Sequence, residues 1–198
     1  MKYRISKKYY WDKVYSKVKK TKKPSTFAKF CLKKYIKNQK NKRLLDIGCG
    51  DGRDTIYFSK KIDSTGIDKS NAAIKFLQNK YSTKKRISFL RINLNNLNFS
   101  KLKEYDYVYM RFLFHAINSV SENNLLNNLR SSKKKNCIFM AEFRSDKDPL
   151  MKKGKKISFN ERFTDHYRRF INFGKFIDTL KKKSYKFIYY CKITELSD

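Results

Sequence analysis

Polar and apolar positions along this chain fall into two alternating kinds of block. Short apolar runs of strand length occupy Arg43–Ile47, Asp63–Ile67, Ile87–Ile92, Tyr105–Met110, Asn136–Phe143 and Tyr185–Ile193, each bounded by polar or glycine-containing turns. Between them lie stretches with apolar residues at helical spacing. Ser25 or Thr26 opens one that runs to about Lys37, with Phe27, Phe30, Cys31 and Tyr35 on one face. Asp54–Lys61 follows the first strand. Ser70 caps Asn71–Tyr81, which turns Ala73, Ile74 and Leu77 inward. A helix starts near Phe112, another covers Ser121–Ser131, and the last covers Phe173–Lys183. Ahead of them, Tyr9–Val18 reads as a short helix with Tyr10, Trp11, Val14, Tyr15 and Val18 near one face. Arg144–Thr164 reads as a long polar loop broken by Pro149 and Gly154; loops of this length inside a domain are functional or disordered. The alternation predicts an α/β layered fold with a mostly parallel sheet and helices on both faces.

Length and composition narrow the picture. At 198 residues the chain is expected to form one structural domain, with 1–40 as an N-terminal helical lid segment and 41–198 as the main body. Cys31, Cys49, Cys137 and Cys191 are scattered and show no CxxC spacing, so no metal site is expected and reduced thiols in the cytoplasm are. Met1-Lys2-Tyr3-Arg4 is basic but leads into no apolar signal segment, and no run is long enough to span a bilayer. The net charge of +32 is extreme and points toward phosphate-bearing partners such as nucleic acid. The charge is spread over the whole chain, however, in a composition rich in Lys, Asn, Ile, Tyr and Phe, as codon bias would produce.

The chemistry concentrates at Leu44–Asp54. An apolar run ends in Asp46; Gly48, Gly50 and Gly52 follow, then a helix. Such a turn brings backbone close to a ligand, with the free N–H groups of the helix start facing it. The second strand ends at Asp68, 22 residues after Asp46. An acid at that distance accepts from ribose hydroxyls in a doubly wound sheet. Carboxylates at Asp46, Asp51 and Asp54 would repel a pyrophosphate and tolerate a cofactor carrying ammonium and sulfonium groups.

Leu45-Asp46-Ile47-Gly48-Cys49-Gly50-Asp51-Gly52 resembles the first motif of class I S-adenosylmethionine-dependent methyltransferases. Thr65-Gly66-Ile67-Asp68-Lys69-Ser70 is similar to their second-strand acidic motif, and Tyr105–Ile117 to their fourth strand and the following turn. The likeness covers about residues 40–145. Looser motifs resemble the tellurite-resistance-type branch, whose members are often associated with surface-glycan loci. These are Tyr10-Trp11-Asp12, Pro24-Ser25-Thr26-Phe27-Ala28, Gly52-Arg53-Asp54, Arg111-Phe112 with His115, and Thr164–Phe170.

The resemblance implies a Rossmann-like methyltransferase sheet and S-adenosylmethionine as cofactor. It implies that Asp46, Gly48, Cys49 and Gly50 border the methionine moiety, with Arg53 and Trp11 nearby. Asp68 would hold the ribose and Lys69 follow the adenine edge. Asn93, with Leu94 beside it, stands where the family usually has an acid reaching the adenine amino group. Arg111 and Phe112 would lie beside the cofactor. The class closes its sheet with an antiparallel seventh strand. Six are read here, so either that strand is missing or the count is one short, and a bare edge would invite a second subunit.

For the acceptor, His115 and His166 are the candidate general bases, with Arg111 beside them. Glu142, Arg144, His166, Tyr167 and Arg168 are candidate acceptor contacts, and Arg111, Arg144, Arg168 and Arg169 together would suit a phosphate or carboxylate. Tyr10 and Trp11 are placed to cover a sulfonium by cation–π attraction. Three readings follow: methylation of a small molecule or sugar precursor, methylation of RNA or DNA, and a non-catalytic relative that binds a partner through its basic face. The nucleic-acid reading lacks the Asn/Asp-Pro-Pro-Tyr/Phe motif after the fourth strand, where Met110-Arg111-Phe112-Leu113 stands.

Overall fold

Alternation in the first strand explains the layering. In β1 (Arg43–Ile47), Leu44 points to one side of the sheet and Leu45 and Ile47 to the other, and all three are buried. The computed structural model describes residues 10–36, 41–132 and 134–191. β2 (Asp63–Asp68), β3 (Ile87–Arg91), β4 (Tyr107–Arg111) and β5 (Ile138–Glu142) complete a five-stranded sheet of order β3-β2-β1-β4-β5. Every pairing in it is parallel. The chain winds outward from β1 to β3, then returns to place β4 on the other side of β1. The carboxyl ends of β1 and β4 therefore flank a crevice at the switch point.

Helices cover both faces. Residues 10–15 form α1, followed by α2 (Thr26–Lys34), α3 (Arg53–Ser59), α4 (Asn71–Tyr81), α5 (Ser119–Ser132) and α6 (Phe173–Lys182). Leu44, Tyr107, Tyr109 and Met140 pack with Phe58 of α3 and Ala28 and Cys31 of α2. Leu45, Ile47, Val108 and Met110 pack with Leu125, Leu126 and Leu129 of α5 and Phe176 of α6. Ser25 and Ser70 cap α2 and α4 as their sequence positions predict, each accepting from the N–H three residues on. No helix among the described residues is long and apolar enough to cross a membrane.

Three expectations are corrected. The long polar loop contains a 3-10 turn (Pro149–Lys152) and two strands, β6 (Lys155–Ser158) and β7 (Glu161–Phe163). With β8 (Tyr167–Arg169) these form a small antiparallel sheet. β6 is exposed along its whole length, so it carries no apolar alternation to read. The expected sixth strand, Tyr185–Ile193, is not a strand over 185–191, and its last two residues lie outside the described ones. Its aromatics dock singly instead: Tyr185 donates to the Leu126 carbonyl at 2.7 Å, and Tyr189 sits by Phe30 and Lys34 of α2. The helix expected near Phe112 is a 3-10 turn, Phe114–Ala116. Part of the Tyr9–Val18 expectation also lies outside the described residues, at Tyr9.

Gly66, in the middle of β2, couples the core to the crevice. A Cβ there would lie 2.8 Å from the Phe89 ring and 2.9 Å from the Thr55 hydroxyl. Thr55 donates that hydroxyl to Asp46 at 2.6 Å. Gly66→Ala is expected to destabilise the fold by about 1–3 kcal/mol through overpacking, read as a lower urea midpoint with unchanged slope. An unchanged midpoint would mean that β2 can shift freely.

Candidate active site

The turn after β1 is locked from below. The N–H groups of Gly48 and Cys49 both donate to the Ile67 carbonyl, at 2.8 and 3.0 Å. The Gly50 N–H donates to Asp68 Oδ2 at 3.0 Å. Gly50 has φ +56°, and a Cβ on it would meet the Tyr15 ring carbon Cζ at 3.1 Å. The glycine is required both by the left-handed backbone and by the ring lying against it.

Four acids surround this turn. Asp46 is buried and bonded to Thr55, and burial pushes its carboxyl up to about 8, with Asp54, Asp68 and Asp51 adding to the rise. Asp68 accepts from the Gly50 and Ser70 N–H groups, which oppose the upward shift that burial causes. Asp54 accepts from the Ser25 N–H and hydroxyl at 2.8 Å each and from the Tyr109 hydroxyl at 2.9 Å. Asp51 accepts from the Lys22 N–H at 3.1 Å, so two acids of the turn also fix the segment that leads into α2.

α1 closes over the crevice from one side. Asp12 accepts from the Ser70 hydroxyl and the Ala72 N–H, at 2.7 and 3.1 Å, at the start of α4. Tyr10 donates to Asp165 at 2.6 Å and stacks on His166 with ring centres 4.5 Å apart. Trp11 lies between Tyr15, at 5.8 Å, and His166, at 5.0 Å.

The far end is basic. Arg111, at the end of β4, pairs with Glu142 at the end of β5, and its guanidinium lies 4.2 Å from the centre of the Phe112 ring. Phe112 has φ +58°, an uncommon conformation for an aromatic residue, held by its N–H bond to the Glu142 carbonyl. Arg144 pairs with Asp148, and Arg168 with Asp165. His115 is 5 % exposed, and its Nδ1 has no hydrogen-bond partner among the described residues. Burial, then the positive charges of Arg144, His166, Arg168 and Arg111, push it down to about 3. His166 is also lowered, by burial and Arg168. Its Nδ1 lies 3.1 Å from Asp165 Oδ2, off the line of a hydrogen bond. Burial works to raise Asp165, but bonds from Arg168, Thr164 and Tyr10 outweigh it and hold the carboxyl well below its usual range.

The crevice between these ends is a cleft of about 620 Å³. Trp11, Asp46, Gly48, Cys49, Gly50, Arg53, Asp68, Lys69, Asn93, Leu94, Arg111, Phe112, His115, Arg144, His166, Tyr167 and Arg168 all line it. The sequence-derived candidates thus converge, with exceptions. Glu142 and Tyr10 do not line the cleft but hold Arg111 and His166, which do. Arg169 is inside the fold: it donates to the Ile117 and Phe114 carbonyls and pairs with Glu122. The Asn93 carbonyl oxygen, expected to face a ligand amino group, accepts from the Asn95 N–H at 3.2 Å with a lone pair to spare. Sequence reasoning assigned no role to Tyr15, Asn118 or Ser121, which also line the cleft. The i, i+4 spacing of Tyr15 from Trp11 was a usable signal. Among the described residues no cluster of His, Cys, Asp and Glu is arranged to hold a metal ion.

The sheet order, with the glycine turn at the switch point and the acid ending β2, is that of a Rossmann-like methyltransferase fold. Residues 45–139 match the family model described as "Methyltransferase domain". Solved structures agree on the fold. Phosphoethanolamine N-methyltransferase 1 of Haemonchus contortus, solved with phosphoethanolamine and S-adenosylhomocysteine, is 17% identical over 90% of this chain and 40% of its own, with a TM-score of 0.69. The [4+2]-cyclase SpnF is 14% identical over 79% of this chain and 56% of its own, at 0.62. A TehB-like S-adenosylmethionine-dependent methyltransferase from Corynebacterium glutamicum is 16% identical over 79% of this chain and 71% of its own, at 0.58. The chain thus spans about half the length of the first two, or less. No curated protein matches the sequence.

Proposed function

We propose that this chain is an S-adenosylmethionine-dependent methyltransferase acting on a small molecule or a sugar or glycan precursor, in the tellurite-resistance-type branch. The observation that carries the reading is the acidic cradle of Asp46 and Asp68 around the Gly48–Gly50 turn, opening into a cleft of about 620 Å³. This donor set fits a cationic nucleoside cofactor: the carboxylates answer an ammonium and a sulfonium, and Asp68 is oriented by two backbone N–H groups for ribose hydroxyls. S-adenosylmethionine, when bound, supplies an electrophilic methyl group on sulfur.

The chain's own residues position and shield. Trp11 and Tyr15 cover the glycine turn, and within the proposed lid segment 1–40 it is α1 that acts as the lid, while α2 packs on the sheet. Alignment of the acceptor contributes more than proton removal, since in-line displacement depends first on approach geometry. His115, depressed to about 3, is a weak base. His166, oriented beside Asp165, is the better placed proton acceptor when the nucleophile is a hydroxyl. A nucleic-acid acceptor is the second reading, favoured by the +32 net charge. The [4+2]-cyclase on this fold supports keeping a reading without methyl transfer.

Calorimetry with S-adenosylhomocysteine tests the cofactor, and transfer of tritiated methyl to fractionated cell extract tests the acceptor class. No heat of binding would overturn the methyltransferase reading. Label in the nucleic-acid fraction alone would move the assignment to RNA or DNA. Asp46 gives a pH test. Its carboxyl is protonated below about pH 8 in the free protein, whereas an ammonium ligand favours the ionised form. Binding therefore releases a proton, and affinity for S-adenosylhomocysteine is expected to rise up to about tenfold per unit from pH 6 toward 8, then level off. Asp46→Asn should flatten that rise. A flat wild-type profile would remove Asp46 from the ammonium site.

A further inference from the structure

We propose that the basic end of the cleft is an oxyanion subsite built from His115, His166, Arg144 and Arg168, and that the methyl acceptor carries a phosphate or carboxylate bound there. The inference rests on the methyltransferase reading for the word acceptor, but the subsite itself is argued from geometry.

The first observation is His115. Its side chain is buried, it lines the cleft, and its Nδ1 has no partner among the described residues. Buried imidazole nitrogens normally find a partner, because leaving one bare forfeits its solvation without return. A ligand atom in the cleft would supply what the chain does not. His166, by contrast, has the Asp165 carboxylate 3.1 Å from its Nδ1.

The second observation is the distribution of charge. Arg111, Arg144, Arg168 and His166 line the same cleft as His115, and their field lowers its basicity. Their acidic counterparts, Glu142, Asp148 and Asp165, pair with them but do not line the cleft. What a ligand meets at this end is a wall of guanidinium and imidazole groups. Asp148 and Asp165 each engage the Nη1 atom of their arginine. A guanidinium has five N–H donors, so Arg144 and Arg168 retain donors for a second, forked contact.

The third observation is the opposite polarity of the other end. Asp46, Asp51, Asp54 and Asp68 line the cleft around the glycine turn. One cleft with a negative and a positive end sorts two ligands by charge: the cation lies at the glycines, the anion beside β8. Such an arrangement also sets the acceptor's direction, since its anionic group is held away from the turn.

The chain has two histidines, so their imidazole NMR signals are a direct readout. The full chain is titrated with inorganic phosphate and, separately, with acetate, at constant ionic strength, with and without S-adenosylhomocysteine. His115→Gln assigns the signals. The expected result is a saturable shift of the His115 resonances with at least one anion, together with a rise in its titration midpoint from about 3, because a bound anion reverses the local field. Phosphate alone, acetate alone or both would identify the chemistry of the acceptor's anionic group. Arg144→Gln and Arg168→Gln should each weaken the anion roughly tenfold, in keeping with loss of a charge-assisted bond. Arg→Lys variants at the same positions should weaken it less. Lys153→Gln, an exposed residue outside the cleft, removes the same charge and should change nothing. The proposal is overturned if neither anion moves His115, if the shift does not saturate, or if Lys153→Gln weakens it as much as the arginine variants. If S-adenosylhomocysteine fails to bind while the anion titration succeeds, the methyltransferase reading falls and the oxyanion site stands.

Discussion

Asp68→Ala is expected to lower affinity for S-adenosylhomocysteine by at least about a hundredfold, with the fold retained. The carboxylate lines the cleft and is held by the N–H groups of Gly50 and Ser70. On the proposed reading it accepts from the ribose hydroxyls. Two hydrogen bonds to a charged acceptor, at about 1.5–3 kcal/mol each, account for a loss of that size. The substitution also frees the Gly50 N–H that pins the turn. Asp68→Asn keeps the shape and removes the charge, so it should fall between the two. Calorimetry reads the affinity, and far-ultraviolet circular dichroism verifies the fold. Affinity within about threefold of the parent would mean that the ligand does not sit against β2, and the cofactor assignment would go with it.

Arg169→Leu has the largest expected effect on stability. The residue is 6 % exposed, and its guanidinium satisfies three groups at once: the Phe114 and Ile117 carbonyls and the Glu122 carboxylate. Its removal strands a largely buried carboxylate and two carbonyls. Breaking such a pair costs about 3–5 kcal/mol, a large share of the about 5–15 kcal/mol that holds a domain together. Urea unfolding should show a much lower midpoint. Arg169→Leu with Glu122→Leu should recover part of the loss, because the stranded charge goes too. If Arg169→Leu is as stable as the parent, the residue is free to reach a ligand, as its position in Thr164–Phe170 first suggests.

The contrast between Arg168 and Arg169 shows what sequence alone resolves. Both are arginines in one short strand, and nothing in their neighbours separates them. Alternation along β8 sends Arg168 to the cleft and Arg169 toward the carbonyls of the Phe114–Ala116 turn. Which face is which depends on a sheet that sequence reasoning reads as a loop, because β6 is exposed and lysine-rich and lacks the period-two signal. The C-terminal run misleads in the opposite way. Tyr185, Phe187 and Tyr189 alternate as a strand would, yet Tyr185 and Tyr189 dock separately, on Phe139 and Phe30.

The glycine end of the cleft was legible for a physical reason. Left-handed turns demand glycine, and a carboxylate at a strand end needs a fixed spacing, so composition and position carry the same information. β1 and α4 were readable to the residue because strong caps and buried alternation bound them. The basic end of the cleft depends on burial and field. Neither the bare Nδ1 of His115 nor the fall in its basicity has any trace in the letters around it.

α1 has a kinetic consequence. Asp12 ties it to the start of α4, and Tyr10 ties it to Asp165, 155 residues further along the chain. A molecule lodged beneath Trp11 and Tyr15 is expected to leave faster when either fastening is cut. Residence time in the cleft is then expected to report on those two fastenings as well as on the ligand's own contacts.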